Sequence, residues 1–403
     1  MSDFVDRGTH EGTRRRNRAL VLRELQRDGG ISRAQIAIKT GMTNSVVSRI
    51  TREMVDIGLV RELGLFREND GPGRSSIKLE LSRGAAYVVG IALGAFDRTV
   101  RLVDSRGEVL AREVLTLPPS GEPGASLTLV AAATNALVVT SGIKRNRLLG
   151  CGVAISGIAD VAAGRLLRSV NLGWTDVAVG AELTRQLHMP VWMETLPNVL
   201  NLGEMRAGAT KGKLNTAFIT AGLGVGASFI VDGNVLRSSK NAAGQIGHMH
   251  ASNATHVCTC GRVGCLDTVA SGRAILMRLK GINAHEVVMK RHALDAKRLA
   301  DAIGREKTGD QRAIRVFREA GTALGRALDA VIATIAPEAI LLGGALAQVG
   351  SYFAGVRDAL RPAMHEDVPM MVSRMEVDEA AAWLALDKFL FSDNFDLQKL
   401  RIS

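Results

Sequence analysis

Near the front of the chain, apolar positions recur at helical spacing; further on they give way to the runs and alternations of strands. Over Arg15–Gln26, Ala19, Leu22 and Leu25 fall on one face, and Gly29-Gly30 stops the helix. Ser32 followed by Gln35 has the form of a capping box opening a second helix, in which Ile36 and Ile38 supply apolar packing. Gly41 makes a turn, and Thr43 is placed to cap a third helix. Helix, short glycine turn, helix predicts a helix-turn-helix. In the third helix Val47, Ile50 and Met54 face inward, while Ser45, Ser48, Arg49 and Arg52 share another face. Short hydroxyls and long guanidinium groups in a row suit a major groove, where Arg forks onto guanine or phosphate and Ser or Asn44 reaches base edges. After Gly58, Leu59–Leu63 and Ile77–Leu81 read as strands joined by Glu68–Arg74, the wing of a winged helix with Arg74 at its tip.

From Gly84 the pattern alternates between strands and helices. Tyr87–Leu93 and Arg98–Asp104 form a hairpin-like pair followed by Val109–Leu115; Ser126–Ser141 is a helix, and Leu149–Ile155 and Val191–Met193 are strands. Ala217–Ala221 and Ala227–Val231 make a second glycine-bridged pair; helix follows from Ser271, and Ala339–Leu342 is a late strand ending in Gly343-Gly344. Strand meanders repeated in two halves, with crossover helices, predict a two-lobed α/β domain. Gly222-x-Gly224-x-Gly226 is followed by a strand rather than a helix, which argues against a dinucleotide fingerprint.

Charge sharpens this division. Met1–Arg83 holds sixteen Lys and Arg against eleven Asp and Glu, or +5, which leaves +6 of the total +11 for the other 320 residues. A basic front points to an anionic partner, here double-stranded DNA. With 46% hydrophobic and 4% aromatic residues in 403, the chain reads as globular, with two or three domains. Apolar runs such as Ala85–Phe96 and Ile340–Val349 fall short of the roughly 18 residues of a membrane span. The N-terminus lacks the apolar centre of a signal peptide, so a cytoplasmic location with no membrane partner is expected.

Three of the four cysteines, Cys258, Cys260 and Cys265, fall within eight residues, after Gly244-Gln245-Ile246-Gly247-His248. Three thiolates and an imidazole compose a closed, structural zinc site, with His248, His250 and His256 as candidate nitrogen ligands. Gly261 and Gly264 let the loop curl so that the thiols converge. The fourth cysteine, Cys151, lies in an apolar strand and reads as core.

The run Thr220–Gly226, the Gly-Gln-Ile-Gly-His stretch, the block Cys-x-Cys-Gly-x-x-Gly-Cys-Leu-Asp and Gly343-Gly344 together resemble the ROK family of repressors, open reading frames and sugar kinases. The front domain is similar to that of the family's repressor branch, which includes xylose and N-acetylglucosamine repressors. The resemblance spans about Arg14 to Phe389, and the His/Cys block is its most specific part. It implies an actin-like, hexokinase-type two-lobed fold, a zinc on His248, Cys258, Cys260 and Cys265 (a zinc loop at 248–265), and a sugar site between the lobes. The sugar-site positions carry over to Asn171, Glu194, Gln245, His248 and Asp267, with Gln245 and Asp267 where the family has glutamates. The catalytic base of the kinases falls on Leu196, and the acid of their first strand on Ala92. Neither side chain can take a proton or hold a metal, which argues against phosphoryl transfer.

These readings predict a winged helix-turn-helix at 1–83 and a sugar-binding, oligomerising domain at 84–403. The DNA-contacting candidates are Ser32, Arg33, Thr43, Asn44, Ser45, Ser48, Arg49, Arg52 and Arg74. The function expected is a non-enzymatic, sugar- or sugar-derivative-responsive repressor, acting on an operator as a homodimer or homotetramer. A carbohydrate kinase and a constitutive regulator with a degenerate pocket are the alternatives.

Overall fold

The computed structural model describes residues 10–66, 76–94, 98–116, 122–169, 172–238, 243–251, 254–280, 292–360 and 368–401. The front domain contains α1 (His10–Asp28), β1 (Ile31–Ser32), α2 (Arg33–Thr40), α3 (Asn44–Asp56), β2 (Val60–Phe66) and β3 (Ser76–Leu81), its strands ordered β1-β3-β2. Local chemistry fixes its turns. Ser32 Oγ accepts from the Gln35 amide while the Ser32 amide donates to Gln35 Oε1 at 3.0 Å, a complete capping box. Gly41 closes α2 at φ +69°, and Thr43 Oγ1 accepts from the Val46 amide to start α3. Val47, Ile50 and Met54 pack on Leu22, Leu25 and Ile36, as the periodicity predicts. Ile38 does not join them; it is 81% exposed. Two residues past the buried Ile36, it is turned about 200° around the helix and cannot share that face.

The rest of the chain is built on two sheets of matching design. In the first lobe, β4 (Tyr87–Leu93), β5 (Arg98–Asp104) and β6 (Val109–Val114) lead into α4 (Pro123–Thr140) and β7 (Leu148–Ile155). A small sheet of β8 (Ile158–Asp160), β9 (Arg165–Ser169) and β10 (Trp174–Val177) follows, then α5 (Val179–Leu187), β11 (Val191–Thr195) and α6 (Leu196–Ala207). The second lobe starts with β12 (Thr216–Ala221), β13 (Val225–Val231), β14 (Asn234–Val235), α7 (Asp267–Ala270) and α8 (Gly272–Lys280). It continues through α9 (His292–Lys307), α10 (Gln311–Ile335), β15 (Ala339–Gly343), α11 (Gly350–Leu360) and β16 (Met370–Val372) to α12 (Val377–Phe389) and α13 (Gln398–Arg401). The sheet orders are β6-β5-β4-β7-β11 and β14-β13-β12-β15-β16. In each, three antiparallel strands are extended by two parallel ones. The same order and sense, repeated, give the two-lobed α/β architecture that the sequence predicts.

Two helices fill the space between the lobes. Val199, Leu200 and Met205 of α6 and Ala380, Ala381 and Leu384 of α12 share one cluster with Phe218, Ile230 and Leu341 of the second sheet. The first sheet meets α12 at very close range. A Cβ on Gly152 would lie 2.2 Å from the Ala381 carbonyl oxygen, so only glycine fits. Arg101, buried in β5, ties the start of α12 through Asp378, which is 1% exposed and also receives Arg112 Nε at 2.6 Å. Helix α4 carries no charged residue over its 18 positions, a longer uncharged run than those read from the sequence, and is long and apolar enough to cross a bilayer by composition. One of its faces, including Leu127, Val130 and Val138, packs into the first lobe's core.

The winged helix is not a bead on a string. Its core continues through Leu79 and Leu81 into Ala85 and Val88, and onto Leu386, Leu390, Phe391, Phe395, Leu397 and Leu400 at the far end of the sequence. Arg18 donates to the Phe395 carbonyl at 3.2 Å and Arg23 to the Phe391 carbonyl at 3.0 Å. The front domain is thus built on the last residues of the chain.

Candidate ligand cleft, metal centre and nucleic-acid interface

A cleft of about 240 Å³ opens between the lobes. Gly157 and Ile158 of the first lobe form one side, and the β11–α6 junction forms its floor with Glu194, Thr195, Pro197 and Asn198. The other side is Val225–Ala227, the Leu236–Ser238 arm and the Gly244–His248 turn. Glu194 is fixed there: its Oε1 accepts from the Thr195 amide at 2.8 Å and from Asn198 Nδ2 at 3.0 Å, and its Oε2 faces Arg237 at 2.5 Å. Of the residues carried over as ligand contacts, Glu194, Gln245 and His248 line the cleft. Asn171 lies outside the described residues. Asp267 stands behind the wall: its carboxylate accepts from the Val225 amide at 2.8 Å, bracing the strand that the cleft uses. Burial pushes its acidity down, its pKa rising against the opposing pull of the Val225 amide, Arg273 and His248. Leu196 is the first residue of α6 and Ala92 is buried in β4, so no carboxylate stands at either place.

His248 belongs to two sites at once. The residue is part of the cleft lining, and its Nδ1 lies 3.6 Å from Cys258 Sγ. Cys260 Sγ and Cys265 Sγ are also 3.6 Å apart, and all four ligand atoms fall within 4.8 Å of one another. A zinc–sulfur bond of about 2.3 Å implies sulfurs roughly 3.8 Å apart in a tetrahedron, so the donor set fits one metal ion. The structure brings in His248 rather than His250 or His256. Gly261 and Gly264 take φ of +86° and +89°, the curl expected of the loop, and a Cβ on Gly264 would meet the His250 ring at 2.7 Å. Burial works against ionising Cys260, but the Arg262 amide and guanidinium and the neighbouring sulfurs outweigh it and bring the thiol down to about 7. Burial, then the adjacent sulfurs, push Cys265 up to about 12. A dication at their centre would remove this conflict by ionising all three.

On α3, Asn44, Ser45, Arg49 and Arg52 are exposed and Ser48 half-buried, and among the described residues neither arginine has an ion-pair partner. Thr43 is exposed as well, although its hydroxyl caps α3 and meets Ser45 Oγ at 3.0 Å. Ser32 leaves the set of DNA candidates, because it is 3% exposed and its hydroxyl is spent on the capping box. Arg33 donates to Thr51 Oγ1 at 3.0 Å and pairs with Glu62 at 2.8 Å, which turns it toward its own domain. Arg74 lies outside the described residues.

Comparison with known proteins accords with this geometry. The ROK family pattern matches residues 88–382, nearly three quarters of the chain, and a winged helix-turn-helix DNA-binding pattern matches residues 14–61. The chain belongs to the ROK family. Over 349 residues it is 25% identical to the xylose repressor of Caldicellulosiruptor bescii, covering 86% of this chain and 87% of that one. It is 28% identical to a glucokinase of Halalkalibacterium halodurans over 274 residues, 66% of this chain and 82% of the enzyme. Among solved structures, a ROK family transcriptional regulator, a homologue of the Escherichia coli MLC protein, superposes with a TM-score of 0.78 at 23% identity, covering 96% and 99% of the two chains. The family therefore holds both repressors and kinases, and this chain carries the additional winged helix.

Sequence reasoning missed Arg237, Ser238 and Asn198 as cleft residues. Asn198 lies four residues after Glu194, and nothing in the sequence announces the bond it donates to that carboxylate. Arg237 sits in an arm after β14 that has no motif of its own.

Proposed function

We propose that the protein is a sugar-responsive transcriptional repressor whose winged helix, residues 1–83, reads an operator and whose lobes, 84–403, bind the effector and join chains into a homodimer or homotetramer. The observation that carries this reading is the path from cleft to DNA domain. Helix α6 starts at the cleft, just after Thr195 and with Pro197 and Asn198 in the lining, and in its last turn the Arg206 carbonyl accepts from Gln26 Nε2 of α1 at 3.3 Å. Its twelve residues span about 18 Å, so a shift of the floor reaches the DNA domain through one rigid element. A ligand that binds the closed and open lobes unequally thereby biases operator affinity. Zinc on His248, Cys258, Cys260 and Cys265 would hold the cleft wall, and it has no catalytic role, since four protein ligands close its coordination. As a repressor the protein acts in the cytoplasm.

The test is a mobility shift on operator DNA with and without sugars. Arg49→Ala or Arg52→Ala should weaken binding by about 1–3 kcal/mol where the side chain reads a base, and all binding should fall steeply with salt. Equal affinity in both variants and wild type would remove α3 from the interface and with it this reading.

A kinase reading has the glucokinase relative in its favour but lacks an acid at Leu196 and Ala92. With ATP, Mg²⁺ and a panel of hexoses, no turnover above background is expected in a coupled assay. A robust rate, lost on mutation of Asn198 or Glu194, would reverse the assignment.

A further inference from the structure

The three sulfurs of the His/Cys cluster differ in their access to solvent. Cys258 and Cys265 are 3% and 2% exposed, whereas Cys260 is the one exposed cysteine of the four in the chain. Its neighbours Thr259, Gly261, Arg262 and Val263 are exposed as well. Cys151 does not compete, being fully buried in β7, where burial pushes its thiol well above the ordinary range. A reagent arriving from solvent therefore meets Cys260 first. Behind it stands Cys265, its Sγ 3.6 Å away, while Cys258 meets His248 Nδ1 at 3.6 Å. A disulfide requires the two sulfurs of the first pair to close by about 1.5 Å. The Cys260 side has room for that movement, since a Cβ on the adjoining Gly261 would meet nothing within 4 Å. The Cys265 side is fixed. A Cβ on Gly264 would meet the His250 ring at 2.7 Å, and the buried Leu266 donates its amide to the Met249 carbonyl at 2.8 Å. One thiol is thus accessible and free to move, and its neighbour is sheltered and held.

We propose that Cys260 and Cys265 form a peroxide-sensitive pair, Cys260 the site of oxidation and Cys265 its resolving partner, whose disulfide expels zinc and frees the turn carrying Gln245 and His248. The Cys260 thiolate attacks one oxygen of a hydroperoxide, the O–O bond breaks, and the leaving oxygen takes up a proton; with hydrogen peroxide it departs as water. The sulfenic acid formed on Cys260 is then attacked by the Cys265 thiolate, which displaces hydroxide and closes the S–S bond. The two sulfurs together lose two electrons, and hydrogen peroxide is reduced to two waters. A disulfide withdraws two of the four donors, so the ion is no longer held, and His248 loses the bond that would fix its orientation beside the cleft. This inference rests on the zinc reading of the His/Cys cluster and is independent of which sugar the cleft accepts.

The test is a titration of the zinc-loaded, full-length protein with hydrogen peroxide, read by a chromogenic zinc indicator and by mass spectrometry. One zinc should be released for each disulfide formed, the chain becoming lighter by two hydrogens. Trypsin cuts after Arg262, so a Cys260–Cys265 bond joins two peptides that a Cys258–Cys260 bond would leave separate. Hydrogen exchange across residues 244–250 should quicken in the oxidised protein, and dithiothreitol with added zinc should restore it. Cys151→Ala should release zinc at the same peroxide dose as the unaltered chain. A zinc-loaded protein that keeps its ion at doses that fully oxidise a free cysteine standard would overturn this inference alone. So would a disulfide that includes Cys258, a bond between two chains, sulfonic acid at Cys260 without a disulfide, or unchanged exchange at 244–250. A chain that folds and is purified without metal would remove the zinc reading and this inference with it.

Discussion

Ending the chain after Phe389 should abolish operator binding while leaving the two lobes folded. The truncation removes Leu390, Phe391, Phe395, Leu397 and Leu400, exposed by 0%, 1%, 4%, 5% and 2% in the intact chain. Each such side chain contributes about 1.5–3 kcal/mol of burial, so their sum rivals the 5–15 kcal/mol stability typical of a whole domain. The winged helix loses one wall of its core, which includes Leu22, Leu25 and Leu81. Arg18, 7% exposed, also loses the Phe395 carbonyl and is left a buried cation without that acceptor. Burial already lowers its pKa, so the loss falls on a strained group. The lobes keep both sheets, since neither contains a residue beyond Val372. A milder pair, Phe391→Ala and Phe395→Ala, should each cost about 3–5 kcal/mol and loosen DNA binding before the lobes melt. Circular dichroism melts, cleft-ligand titration and mobility shifts on the same samples separate the two domains. Full operator affinity in the truncated chain would show the C-terminal packing to be ornamental.

That coupling was invisible in the sequence, for a physical reason. The helix-turn-helix was legible because its determinants are local: Ser32 and Gln35 cap each other, Gly41 turns, and Thr43 caps the next helix within a few residues. The His/Cys cluster was legible because its four donors crowd one stretch of chain, and sulfur chemistry has few other uses for such spacing. The Arg18–Phe395 contact joins residues 377 apart, and no periodicity in either segment names its partner. Helices α6 and α12 lie buried between two sheets, so α12 has apolar residues all round and gives little amphipathic signal. Ile38 was misread because apolar identity was taken for facing, though its position relative to Ile36 already denied it. The cleft shows the same divide. Glu194 and His248 were found through a resemblance, whereas Arg237 enters from an arm that only the fold brings to Glu194.

Purified protein should carry one zinc per chain, and replacing Cys260 by Ser should cost both stability and ligand response. The first expectation follows from the donor set: one imidazole nitrogen and three sulfurs within 4.8 Å of each other, two of the cysteines nearly buried. Structural zinc sites of this kind contribute on the order of 10 kcal/mol to folding in small domains, so the loop is not expected to keep its shape when the metal is lost. The second follows from how that loop is fastened. Leu266 donates to the Met249 carbonyl at 2.8 Å, and His250 bridges Cys265, so the cysteine segment holds the turn that presents Gln245 and His248 to the cleft. With one ring nitrogen on the metal, the imidazole is locked in orientation and its other edge is set toward the ligand. Chelation should therefore lower the melting temperature and weaken effector binding in parallel, and restoring zinc should return both. Cys260 is the informative position, since it is exposed and its replacement by Ser disturbs packing least. A folded Cys260→Ser protein with unchanged effector affinity would make the metal a loop staple only. A wild-type chain that folds and responds with less than about a tenth of an equivalent of any metal would remove it altogether, because coupled metal binding and folding permit no such state.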